Sequence, residues 1–257
     1  MKQLLVLLIL SLSIFSCEKK VKTISHVLKI NASLGKLEIK NAKDYEKAKA
    51  FVLGKFNYKE DIRFTKADRL HSVKVLHLDK EVYQAFTSMF EAAKKDSIAL
   101  KIISGTRNFN EQKTIWERKW NIYSNLEPIK RAKKILTYSS MPSTSRHHWG
   151  TDIDLNSLSN LYFSSGKGQK EYDWLTTYAN DFGFYQVYTT KKNGRTGYNL
   201  EKWHWSYLPL ASKYLTFYNY NISYTDINGF KGDSLAKTNK MIGNYVNGLS
   251  KKVLAYN

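Results

Sequence analysis

Two short segments concentrate the residues that could do chemistry: S-R-H-H-W-G-T-D-I-D from Ser145 to Asp154, and E-K-W-H from Glu201 to His204. Together they offer His147, Asp154 and His204 as three metal ligands, with Glu201 beside them. Two neutral imidazoles and one carboxylate suit zinc, and three protein ligands leave a fourth position for water. A carboxylate outside the ligand set can take that water's proton while the metal lowers its pKa to roughly 7. The chemistry expected of such a site is hydrolysis. Taken singly, each of the six histidines (His26, His71, His77, His147, His148 and His204) has an ordinary structural or surface explanation. The second segment alone could equally be an aromatic strand carrying one incidental histidine. The constellation is what points to a metal. Strand alternation puts Asp152 and Asp154 on one face with Ile153 opposite, and two carboxylates on a buried strand are costly without a cation nearby.

The elements that must position these residues can be read from periodicity. Val82, Phe86, Met89, Phe90 and Ala93 recur at three- and four-residue steps behind Asp79, which predicts a helix from an Asp79 N-cap to about Lys95. Ile98 to Ser104 reads as a buried strand ended by Gly105. Asn110 is expected to cap a helix through about Trp120, and Glu127 to Leu136 a short basic helix. Asp152 to Leu155 reads as a strand, and Tyr172 to Phe182 as a helix with Gly183 as its C-cap. Two further strands, Phe184 to Thr189 and Tyr198 to Tyr207, flank the polar turn Lys191 to Gly197. Asp44 to Leu53 has helix-compatible spacing, and Ser234 to Leu249 is expected to form a last amphipathic helix outside the catalytic core. Helices mixed with non-alternating strands predict an α+β domain.

The N-terminus reads as an export signal. Lys2 precedes a largely apolar run from Leu4 to Phe15, shorter than the roughly 20 residues of a membrane span but suited to a signal segment. The run ends in Ile14-Phe15-Ser16-Cys17, which resembles the lipobox of bacterial lipoproteins, where the cysteine is acylated. Cys17 is the only cysteine of the chain, so no intramolecular disulfide is possible. It is either a lipid-attachment residue, holding the protein at a membrane face, or part of a discarded signal peptide. The expected organisation is a signal segment at 1–17, a tether and extension at 18–59, a catalytic domain at 60–210 and a helical extension at 211–257. The formal charge of +19, carried mostly by Lys (34 Lys against 7 Arg), has two readings. It can attract anionic envelope polymers or lipid headgroups, or it can be compositional bias. Nucleic acid is not an expected partner, since no Arg-aromatic RNA motif or recognition-helix pattern is present.

Three motifs in order carry a family resemblance. Ser145, His147, Gly150 and Asp154 match S-x-H-x-x-G-x-A-x-D; Glu201, Trp203 and His204 match E-x-W-H; Ser104, Gly105, Arg107 and Gln112 match S-G-Y-R-S followed by Gln. The chain resembles the VanY-like D-alanyl-D-alanine carboxypeptidases, zinc peptidases of the Hedgehog/DD-peptidase fold, over roughly residues 60 to 210. The resemblance implies a small, mainly antiparallel sheet flanked by helices, and a zinc-dependent exported enzyme acting on peptidoglycan stem peptides at the cell envelope. It implies His147, Asp154 and His204 as zinc ligands and Glu201 as general base. Arg107 would pair with the substrate carboxylate or the developing oxyanion, or else make a surface salt bridge. Ser145 and Gln112 would be secondary substrate contacts, and His148 is expected to serve packing or to support the ligands, not to bind the metal. Thr106 stands where an aromatic is usual, Asn108 where Ser, Ser143 where Gly, Arg146 where Glu, and Asp152 where Ala. None removes a ligand or the base; Arg146 and Thr106 are expected to alter the substrate groove. An L,D-carboxypeptidase or endopeptidase using the same site, and a non-catalytic envelope-binding lipoprotein, are the alternatives.

Overall fold

Asp79 closes a strand and opens a helix, and the frame of the protein is organised around such junctions. The structure, a computed structural model, describes residues 39–256. The expected signal segment with Cys17, and His26, lie outside them. The chain divides into two compact units, Met1–Lys49 and Ala50–Asn257. Helix α1 (Ala42–Val52) begins in the first unit, and all the residues of the site belong to the second.

In the second unit, β1 (Phe64–Lys66) pairs antiparallel with β2 (His77–Asp79). The Asp79 carboxylate then accepts the Glu81 N–H at 2.9 Å and caps α2 (Lys80–Lys95), satisfying a donor that a helix start leaves unpaired. The face that α2 buries is Val82, Phe86, Met89, Phe90 and Ala93, the five residues expected from periodicity. Strand β3 (Ile102–Ser104) follows, then α3 (Phe109–Ile122) and α4 (Pro128–Ile135). The cap of α3 is Asn108, not the expected Asn110: Asn108 accepts the Glu111 N–H and Glu111 accepts the Asn108 N–H, a reciprocal capping box.

A short 3-10 turn, Arg146–Trp149, leads into β4 (Asp152–Leu155). Gly150 ends the turn at φ +72°, where a Cβ would meet the Phe64 ring at 2.4 Å, so both backbone and space demand glycine. After α5 (Gly166–Tyr178) and a 3-10 turn closed by Gly183 come β5 (Phe184–Gln186), β6 (His204–Tyr207) and α6 (Leu208–Asn221). Strands β3 to β6 form an antiparallel sheet in the order β3-β4-β6-β5, separate from the β1-β2 pair. The expected α+β class with a small antiparallel sheet is the observed one.

Beyond α6 the expected continuous helix from Ser234 to Leu249 does not form. The segment breaks into Leu235–Thr238 and a wide π turn, Met241–Val246, with Lys240 at φ +50° between them. Instead of standing apart, it packs on the loop before β6: Tyr245 contacts the Tyr198 ring at 5.0 Å, and Ser250 N–H donates to Val187 O at 2.9 Å.

Candidate active site

The register of the sheet assembles the site. Across β4 and β6, Asp154 lies opposite His204, Ile153 opposite Trp205, and Asp152 opposite Ser206. Ser104 of β3 pairs with Asp154 on the other side. Because side chains alternate along a strand, Ser104, Asp154 and His204 share one face, and Asp152 and Ser206 form the next row of it. Ile153 and Trp205, 0% and 1% exposed, go to the opposite face and the core. A one-residue slip would exchange the two sets. The alternation of Asp152, Ile153 and Asp154 read from sequence is therefore present.

His147 reaches this row from the 3-10 turn. Ligand atoms of His147, Asp154 and His204 all lie within 4.8 Å of one another, and all three residues are buried. His147 Nε2 is 3.4 Å from Asp154 Oδ2, and His204 Nδ1 is 3.1 Å from Asp154 Oδ1. The two rings present opposite nitrogens because their other nitrogens are engaged. His147 Nδ1–H donates to Gly105 O at 2.9 Å, and His204 Nε2–H donates to Asp152 Oδ2 at 2.8 Å. Each ring thus has one nitrogen engaged outside the cluster and the other facing it, the arrangement a metal ligand needs. Asp154 Oδ1 is a buried carboxylate oxygen with no hydrogen-bond donor, the kind of atom a cation satisfies. Two imidazole nitrogens and a carboxylate with an orphaned oxygen fit a zinc ion.

Glu201 sits just before β6, its N–H bonded to Tyr188 O at 2.9 Å and its Oε2 3.5 Å from His204 Nδ1. Burial first, and then the charge of Asp154, push its carboxyl up to about 8, against the pull of His204 and Arg107. Burial alone would raise Asp154 too, but His147 and His204 overcome it and hold that carboxyl well below the usual range. One carboxyl is built to stay ionised beside the cluster and the other to exchange a proton near neutrality.

Arg107 follows β3. Its backbone is pinned on both sides to the 3-10 turn: its N–H donates to His147 O at 3.1 Å, and its carbonyl accepts His148 Nδ1–H at 2.7 Å. His148 Nε2 in turn accepts Ser143 N–H at 3.1 Å. Fully buried, and pushed down to about 3 by that burial, His148 is a neutral packing residue, as expected. Ser143 has φ +68°, which accounts for the glycine usual at its position. The Arg107 side chain gives Nε–H to Gln112 Oε1 at 3.0 Å and Nη1–H to Ser104 Oγ, and Nη1 is 3.9 Å from Asp154 Oδ2. The surface salt bridge considered for Arg107 is not what forms.

A cleft of about 980 Å³ collects these groups, with Arg107, Ser145, His147, Asp154, Glu201 and His204 on its walls. Ser145 Oγ is buried and unpartnered there. Gln112 lines it as well, its amide Oε1 accepting from Arg107 and one Nε2–H donating to Ser140 O at 2.8 Å; it holds Arg107 and keeps a second N–H. Thr106 is tied to β2 through Oγ1 and His77 O at 2.7 Å. Arg146 is among the residues that line the cleft, but its side chain is 1% exposed and bound to Asp152. Ser206, which completes that contact, went unremarked in the sequence; its position two residues after His204 on a strand was the available signal.

Comparison with known proteins agrees with this geometry. The chain is 29% identical over 153 residues to YodJ of Bacillus subtilis (strain 168), a carboxypeptidase by name, covering 58% of this chain and 51% of that protein. It is 26% identical over 137 residues to a D-alanyl-D-alanine carboxypeptidase of Enterococcus faecalis (strain ATCC 700802 / V583), covering 52% and 50%. The chain thus spans about half the length of these curated relatives. The solved structure of the LdcB LD-carboxypeptidase superposes with a TM-score of 0.50 at 23% identity, over 65% of this chain and 76% of that one, and shares the fold. The sequence model of the VanY D-alanyl-D-alanine carboxypeptidase family matches residues 75–210, from the approach to β2 through β6, and with it the whole of the site. The chain belongs to the VanY family of D-alanyl-D-alanine carboxypeptidases.

Proposed function

We propose that this protein is a zinc-dependent carboxypeptidase that removes the terminal D-alanine from peptidoglycan stem peptides ending in D-Ala-D-Ala. The observation that carries the reading is the convergence, in one cleft, of three buried ligand residues, a proton-exchanging Glu201 and the donor fork of Arg107. His147, Asp154 and His204 would hold the zinc. When bound, zinc supplies Lewis acidity, polarising the scissile carbonyl and lowering the pKa of a water to about 7.

The protein's own groups do the rest. Glu201 takes a proton at its carboxylate during attack and returns it to the departing amine, a task suited to a carboxyl poised near neutrality. Arg107, with Nε and Nη1 occupied, retains Nη2 for the C-terminal carboxylate of the peptide, and a guanidinium is well matched to such an anion. Ser145 Oγ, buried and unpartnered, is available to the peptide backbone. An acylated Cys17 would hold the enzyme at the envelope; the apolar run before it supports this, and no helix among the described residues is long and apolar enough to cross a membrane. Lipid labelling that persists in Cys17→Ser would refute the anchor.

The deciding experiment is digestion of purified muropeptides by zinc-loaded protein, followed by mass spectrometry. Loss of one alanine from pentapeptide, abolished by a chelator and restored by zinc, is expected. Loss from tetrapeptide alone would move the enzyme to the L,D class, and no loss from either would refute the reading.

A further inference from the structure

Behind His204 lies a second cluster that hydrolysis does not require. Asp152, 0% exposed, accepts four hydrogen bonds: from Arg146 Nε at 2.9 Å and His204 Nε2 at 2.8 Å on Oδ2, and from Thr151 Oγ1 at 2.8 Å and Ser206 Oγ at 2.6 Å on Oδ1. Arg146 Nη2 closes the ring by donating to Ser206 Oγ at 2.7 Å. All these side chains are buried. A buried carboxylate that accepts four donors and faces one guanidinium is fully compensated, which makes its geometry stiff.

We infer that Arg146 and Asp152 form a positioning unit for the metal ligand His204, fixing its ring so that Nδ1 faces the ion. The inference rests on the zinc reading of the site. The physical argument has three parts. A carboxylate only accepts, so Asp152 keeps a proton on His204 Nε2, and Nδ1, 3.1 Å from Asp154 Oδ1, is the nitrogen left to face an ion. The ring cannot flip without breaking a buried charge-assisted bond. Arg146 cancels the charge of Asp152, so the ligand set gains an acceptor behind it without a third uncompensated anion beside Asp154 and Glu201. His147, by contrast, is backed only by the Gly105 carbonyl. The two residues also belong together in sequence terms, since Arg146 and Asp152 are both departures from the motif that the chain otherwise matches. Either alone would bury an unpaired charge. Asp152 and Arg146 are thus positioning residues that act through His204.

The test measures the metal and not the reaction. Zinc Kd by chelator competition and the visible spectrum of the Co(II)-loaded protein are compared for wild type, Arg146→Met/Asp152→Ala and Asp152→Asn. The double variant removes the acceptor and leaves no orphan charge; with folding checked by circular dichroism, its zinc Kd is expected to rise about 10- to 100-fold, with an altered Co(II) spectrum. Asp152→Asn keeps the shape and an acceptor oxygen but loses the charge, and a rise of about tenfold is expected. A folded double variant with a wild-type Kd and Co(II) spectrum would overturn the inference. If the double variant does not fold, Asp152→Asn decides, and a Kd within twofold of wild type overturns it. Wild-type protein that takes up no zinc would instead remove the proposed function and this inference with it, so the two failures are distinct.

Discussion

Arg107 and Arg146 each approach an aspartate of β4 on the same face of the sheet, one at the open cleft and one in the buried interior. The Arg107 side chain is 23% exposed and stands 3.9 Å from Asp154, its Nε and Nη1 steadied by Gln112 and Ser104. The Arg146 side chain is 1% exposed and grips Asp152 at 2.9 Å. The contrast follows from dielectric and geometry. At the cleft, water weakens the attraction to Asp154 and the long separation weakens it further, so Arg107 keeps its charge for a ligand. In the interior, neither partner has water to fall back on, and Asp152 is compensated by Arg146 together with His204, Thr151 and Ser206. What the pair teaches is a division of labour: Arg107, loosely held at the cleft, would serve the proposed substrate, and Arg146, tied to Asp152 and Ser206 with only Nη1 unpartnered, serves the architecture.

The largest effect is expected on the cleft side. Glu201→Gln keeps shape and hydrogen bonding but cannot exchange the proton, and turnover should fall about 10³- to 10⁴-fold, roughly 4–5.5 kcal/mol. Zinc stoichiometry should be unchanged, because Glu201 is outside the ligand set. Retained turnover would end its assignment as general base; lost zinc would make it a ligand.

Next comes the buried side. Arg146→Met takes from buried Asp152 its guanidinium partner and leaves it His204, Thr151 and Ser206, and breaking a buried pair this way costs about 3–5 kcal/mol. Urea unfolding should show that loss as a lower midpoint with the slope kept. A midpoint like that of wild type would mean that water already reaches Asp152, and the contrast between the two arginines would collapse.

Much of this site was legible before any coordinates, and the illegible parts have a common cause. Asp152, Ile153 and Asp154 announce their faces because strand alternation is a local rule. The five buried residues of α2 follow from helical period alone. The Asn108 cap was available as well, since Glu111 three residues on is a capping-box spacing; Asn110 competes only on residue type. The fate of Arg146 was not available. It depends on the β4–β6 register that brings Ser206 opposite Asp152, a pairing across about fifty residues that no short window contains. The C-terminal segment departs from its expected helix at Lys240, whose φ of +50° turns the chain between Leu235–Thr238 and Met241–Val246, and a lysine in that conformation gives no sign in the period.

Arg107→Met should invert the Arg146 result. Its stability is expected to stay within about 1 kcal/mol of wild type, as for a partly exposed residue with a loose ion pair. Its kcat/KM on pentapeptide should fall about 10²- to 10³-fold, roughly 3–4 kcal/mol, as when a donor to developing charge is removed. Measured side by side, one arginine should cost folding and the other turnover. If Arg107→Met unfolds as readily as Arg146→Met while retaining activity, Arg107 belongs to the architecture.

The smallest effect is expected at Gln112, and it sharpens the contrast by one step. Gln112 ties Arg107 Nε to Ser140 O through the two ends of one amide, bridging β3's exit to the loop after α4. Gln112→Leu keeps most of the buried volume but frees the guanidinium to swing. The loss of one hydrogen bond to a charged group is worth about 1.5–3 kcal/mol locally, and part of it returns as Arg107 finds water at the cleft. A fall of about tenfold in kcat/KM is expected, and it should vanish in an Arg107→Met background, because Gln112 acts only through that arginine. An equal tenfold loss in both backgrounds would show that the amide touches the substrate itself, and would restore Gln112 to the binding role its motif suggested.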